Sequence, residues 1–138
     1  MIVRTLESLV GTERDVRAPT FVSWRFLLAK DECGFSMHDT LLKAGTETSM
    51  WYRHHIEAVY CIEGEAELTV LDTGDVHTIV PGTLYALDGN EKHILRVTKD
   101  LRAICVFTPA LVGPEVHDEN GVYPLLKAEP KAPARRKR

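Results

Sequence analysis

The sequence predicts an all-β domain, an antiparallel sandwich or barrel, and three observations carry the prediction. Short runs rich in Val, Ile, Leu, Tyr and Thr follow one another from Trp24 onward. Turn segments bearing glycine, proline or aspartate separate them. Almost nothing reads as helix. The exception is 6–16 (LESLVGTERDV), a helical turn or two that stops near Gly11. Strands are then expected at 24–30, 35–45, 56–64 and 66–72, and again at 76–80, 84–88, 93–99 and 102–111. The turns between them are AGTET, EGE, DTGD, PGT, DGNEK and TKD. DTGD is a hairpin signal, because Gly74 can take a positive φ. The last piece, NGVYPLL, reads as a short extended or turn segment.

The 138 residues are enough for one domain with a core that needs no disulfide staples. Cys33, Cys61 and Cys105 are odd in number and far apart, which favours reduced thiols and a cytoplasmic setting. The first residues lack the apolar stretch of a signal peptide, and no run approaches a membrane span. The net charge of −3 conceals an asymmetry. Residues 127–138 carry six Lys or Arg against one Glu, leaving 1–126 with eleven basic and nineteen acidic side chains. The expectation is a single domain over 1–126 and a basic, disordered tail over 127–138. An acidic body and a tail without aromatic residues argue against nucleic acid as a partner, and no membrane partner is expected.

The run WYRHHIEAVYCIEGE places two histidines and a glutamate within four positions. Adjacent strand residues face opposite sides, so His54 and His55 cannot both serve one ion on a regular strand. The apolar neighbours of Glu57 imply a strand buried on both faces, and a buried carboxylate needs a partner or an ion. Glu57 stands seven positions before Gly64, and Pro81-Gly82 precedes Tyr85. These spacings resemble the two motifs of cupins, with Glu57 at the metal glutamate and Tyr85 at the second motif's histidine. The usual His-x-His pair is missing.

Longer words sharpen the resemblance. AGTETSMWYRHHIEAVYCIEGEAEL, PGTLYALDGNEKHILR and CVFTPALVGPEVHDENGVYPL look like the ectoine synthase branch of the cupins, over nearly all of Met1 to Leu126. That resemblance implies a jelly-roll-like cupin barrel, a homodimer and a small-molecule substrate. It implies a hydro-lyase that closes N-γ-acetyl-L-2,4-diaminobutyrate into the cyclic amidine ectoine, a solute of osmotic stress. It also implies a metal, iron(II) first and zinc as the alternative, on Glu57, Tyr85 and His93. The family often carries Trp where Phe21 stands, and the tail lies outside the shared region.

The residues themselves fit an open, catalytic site. Carboxylate, phenolate and imidazole suit iron or zinc, and three protein ligands leave room for substrate. Other candidates have two readings each. Tyr52 is a proton donor or acceptor, or barrel packing. Glu115 and His117, two apart, are an acid-base pair or a surface loop pair. Arg25 and Thr40 read a substrate carboxylate, or Arg25 makes a surface ion pair. Cys105 and Phe107 share one face as pocket wall or core. His55 orients Glu57 on the same face, and His54 packs or meets a partner subunit. A cupin dioxygenase and a non-catalytic solute-binding cupin are the alternatives from other classes.

Overall fold

The computed structural model describes residues 1–126. The basic tail lies outside the described residues. The elements in chain order are α1 (Leu6–Leu9), β1 (Asp15–Arg17), β2 (Phe21–Leu27), a single 3-10 turn (Ala29–Asp31), β3 (Ser36–Leu42), β4 (Glu47–Trp51), β5 (Ile56–Val70), β6 (Val76–Ile79), β7 (Leu84–Leu87) and β8 (Lys92–Thr108). Thr5 caps α1 by accepting from the Ser8 amide, and Gly11, at φ 77°, ends the turn that follows, as expected. Among the described residues no helix is long and apolar enough to cross a membrane.

Every strand pairing is antiparallel, and two long strands organise them. β5 and β8 run side by side and each takes part in two sheets. The first half of β5 and the second half of β8 belong to a sheet ordered β1-β2-β3-β8-β5-β7. Their other halves join a smaller sheet ordered β4-β8-β5-β6. The two sheets face each other as a jelly roll, and the inward side chains of both fill the space between.

This corrects two expectations. EGE and TKD do not reverse the chain: they are register shifts at which β5 and β8 bend and continue. Gly64 sits at the bend with φ 93°, and a Cβ there would strike the Asp100 carbonyl oxygen. The close approach needs glycine as much as the positive φ does. The second correction concerns Glu57's strand. Only its inner face is buried; on the outer face Ile56, Tyr60 and Ile62 are 43%, 49% and 37% exposed. DTGD does form the β5–β6 hairpin, with Gly74 at φ 74° and its amide donating to the Val70 carbonyl.

The inward residues alternate cleanly. Val59, Cys61, Ala66 and Leu68 on β5 meet Leu95, Val97, Leu101, Ala103, Cys105 and Phe107 on β8. Full burial of side chains such as Leu101 or Phe107 contributes about 2 kcal/mol each. After Thr108 the chain runs to Leu126 with neither helix nor strand. It is anchored to β4 where the Trp51 amide donates to the Gly121 carbonyl.

Candidate functional site

Strand register builds one end of the interior. Glu57 stands opposite Leu87 on β7 and Phe107 on β8; Val59, two residues on, stands opposite Tyr85 and Cys105. All point inward, so Glu57, Tyr85, Cys105 and Phe107 share a cavity of about 40 Å³. Tyr52 enters it from the turn before β5, Thr40 from β3, and Phe21 from β2. His117 and Tyr123 reach it from the coil after β8. The Phe21 and His117 rings meet edge to face at 5.3 Å.

Glu57 is 5% exposed, and among the described residues no ion pair reaches it. Burial pushes its carboxyl up to about 8, while a hydrogen bond with the Cys105 thiol pulls the other way. Burial, then the nearby Glu57 carboxylate, pushes the Tyr85 phenol well above its ordinary value. His93 faces inward at the start of β8, opposite Met50 on β4, with its ring 5.7 Å from that of Tyr52. Its Nδ1 lies 2.9 Å from the Glu91 carbonyl oxygen, an atom that can only accept. Nδ1 therefore carries the hydrogen and Nε2 presents a lone pair. That Nε2 is buried and has no partner. Glu57 and Tyr85 line the cavity and His93 does not; the three carry atoms that can ligate a metal, although among the described residues no three His, Cys, Asp or Glu converge.

Tyr52 and His117 form the polar contact at the cavity's centre. The phenol oxygen is 2.8 Å from His117 Nε2 and 3.2 Å from the Met50 sulfur. Burial, then the proximity of His93 and Arg25, lowers His117 to about 4, and burial raises Tyr52 well above its ordinary value. Both are neutral near pH 7, and the hydrogen between them sits on the Tyr52 oxygen or on His117 Nε2 according to the imidazole tautomer. Tyr123 stacks on His117 at 4.3 Å and on Tyr52 at 5.1 Å, holding the pair in place.

The structure separates Glu115 from His117. Glu115 is buried and accepts from the Val112 and Gly113 amides at 2.6 and 2.7 Å. Arg25, fully buried, donates to the Gly113 carbonyl at 2.7 Å and to Ser23 Oγ at 3.2 Å, and lies 4.0 Å from Glu115. Together they brace the coil that delivers His117 and Tyr123, and neither lines the cavity. His54 is exposed; His55 is buried edge-on to Phe107 at 6.0 Å. His38 and Tyr123 are cavity residues that the sequence reading did not single out. His38 shares the inward face of β3 with Thr40, two residues on, so strand alternation reaches it. Tyr123 comes from irregular chain, where no period points to it.

Comparison with known proteins decides the family. The family model described as ectoine synthase matches residues 1–127. The chain belongs to the ectoine synthase family. The L-ectoine synthase of Oceanobacillus iheyensis is 57% identical over 126 residues, covering 91% of this chain and 98% of that protein. That of Thermobifida fusca is 58% identical over 126 residues, covering 91% and 94%. The crystal structure of ectoine synthase from P. lautus superposes with a TM-score of 0.83 at 54% identity, covering 99% of this chain and 97% of that one. KdgF from Halomonas sp., at TM-score 0.59 and 16% identity over 73% of this chain and 93% of that one, shares the fold alone. So does a Cupin_2 domain from an Enterobacter cloacae regulator, at TM-score 0.54 and 18% identity over 64% and 95%. The fold is the cupin barrel, and the activity is ectoine synthesis, a hydro-lyase reaction. The family match decides among the three activities the sequence had raised.

Proposed function

We propose that this cavity takes N-γ-acetyl-L-2,4-diaminobutyrate, folds it, and closes it onto itself with a metal held by Glu57, Tyr85 and His93. The α-nitrogen attacks the acetamide carbon, a C–N bond forms, and the former carbonyl oxygen leaves as water when the C=N bond is made. The observation that carries the metal reading is the set of donors with no cation of their own. A carboxylate is buried without an ion pair, a phenol lies near it, and the imidazole Nε2 of His93 is buried without a partner. A carboxylate, phenolate and imidazole set suits iron(II), with zinc as the alternative. Bound there, the ion supplies Lewis acidity toward the amide oxygen.

The chain's own residues do the rest. Neutral His117 is placed to accept a proton from the α-ammonium at Nε2. Tyr52, 2.8 Å from that atom, is placed to deliver one to the departing hydroxyl. Phe107, Phe21 and Tyr123 exclude water and hold the substrate folded, and Thr40 with Cys105 completes the polar wall. Arg25 and Glu115 act from behind, by fixing the coil. The cavity holds about three waters at its present size.

A homodimer fits the outer surface. Tyr60 stands opposite Leu84 in register, at 49% and 64% exposure, with Ile56 on the same face. Sedimentation at low concentration should give a dimer that Tyr60→Glu dissociates; a wild-type monomer would remove this part. The free thiols of Cys33, Cys61 and Cys105 support a cytoplasmic location. The catalytic reading is tested by chelating the protein, adding substrate and following by mass spectrometry a product lighter by one water. Turnover should vanish on chelation and return with iron(II); full turnover in verified metal-free protein would overturn the metal role.

A further inference from the structure

We infer that Asn90 is a positioning residue, whose side-chain amide clamps the turn carrying Tyr52 and Glu57 to the segment carrying His93. The inference rests on the site roles proposed above. Asn90 sits in the loop between β7 and β8, five residues after Tyr85 and three before His93. Its φ of 56° is left-handed, a conformation asparagine tolerates better than most residues. From there Nδ2 donates to two carbonyl oxygens, those of Tyr52 at 2.7 Å and His55 at 3.2 Å. The two carbonyls bracket Arg53 and His54, in the only gap between β4 and β5.

One amide group therefore fixes both ends of a turn that has no ladder hydrogen bonds. Tyr52, with its phenol on His117, lies at one end, and Glu57 follows two residues after the other. On the loop's own side the Glu91 carboxylate accepts from the Gly89 amide, and the Glu91 carbonyl sets the His93 tautomer. A second tie joins the same segments outside. Trp51 carries Arg53 at 5.0 Å and Lys92, next to His93, at 4.3 Å over its ring. This outer stack keeps the segments together when the inner clamp is cut, so loss of the clamp loosens geometry rather than unfolding the barrel.

The test uses Asn90→Gly, which keeps the left-handed backbone and removes both donors, and Asn90→Asp, which keeps the shape and offers no N–H. Each is measured for folded fraction by thermal melting, for kcat and KM with iron(II) added, and for iron(II) affinity by titration. The expected result is a kcat per folded molecule lower by ten- to about a hundredfold, with KM changed by less than about threefold. Iron(II) affinity falls in the same variants. A wild-type kcat per folded molecule in both variants, or a loss that merely tracks the folded fraction, would overturn the inference. If the wild type turns over yet binds no iron, the metal reading fails, and the kcat comparison still decides the clamp.

Discussion

Two buried carboxylates show opposite solutions to the same problem. Asp31, after β2, accepts from Arg4 at 2.9 Å, from Arg14 at 3.0 Å and from the Leu28 amide at 2.9 Å. Burial works against its ionised form, yet these donors hold it down to about 2. Glu57, in the cavity, has a thiol and no cation, and burial lifts it to about 8. The first site is complete within the chain and serves the fold. The second has no such cation among the described residues, and its burial costs stability. An acid held ionised by its partners is architecture, and a buried acid without them is a candidate for function.

The contrast can be broken in order of effect. Glu57→Gln should reduce turnover more than about a thousandfold and leave Tm unchanged or higher, because it removes an uncompensated buried acid. Product formation and calorimetry on one sample check both halves; a large drop in Tm would mean that Glu57 is architectural after all. Tyr52→Phe keeps the ring stacked on Tyr123 and loses only the hydroxyl. It should lower kcat by about a hundred- to a thousandfold with the fold intact.

Asp31→Asn is the smallest and the mirror image. It should cost about 2 kcal/mol of stability and leave kcat per folded molecule unchanged. The pH dependence has a definite sign. A depressed carboxyl contributes its full stabilisation above its ordinary value of 3.8 and loses it as the pH falls toward about 2. The wild type should therefore lose its advantage over Asp31→Asn between about pH 4 and pH 2, read as converging denaturation midpoints.

Much of this contrast was legible in the sequence, and the gaps have physical causes. Alternation in KHILRV placed His93 on an inward face because the strand period is two, whereas Tyr85 was singled out by the family resemblance. β4, written ETSMW, read as a turn, since its strand character comes from pairing with β8 and not from composition. A glycine with positive φ serves a hairpin at Gly74 and a bulge at Gly64, and local sequence does not separate the two. Glu115 looked like an acid-base partner of His117 because spacing shows direction and not neighbours. Its carboxylate is occupied by the Val112 and Gly113 amides, which the sequence does not reveal. The two-faced burial inferred around Glu57 failed because the apolar outer face is exposed on this chain.

The central claim is that Glu57, Tyr85 and His93 are unfinished until a metal joins them. Titration of the metal-free protein with iron(II), beside Glu57→Gln, Tyr85→Phe and His93→Ala, tests it most directly. Equimolar binding by the wild type, weakened roughly a hundredfold or more in each folded variant, is the predicted result. Wild-type affinity in all three variants would contradict it.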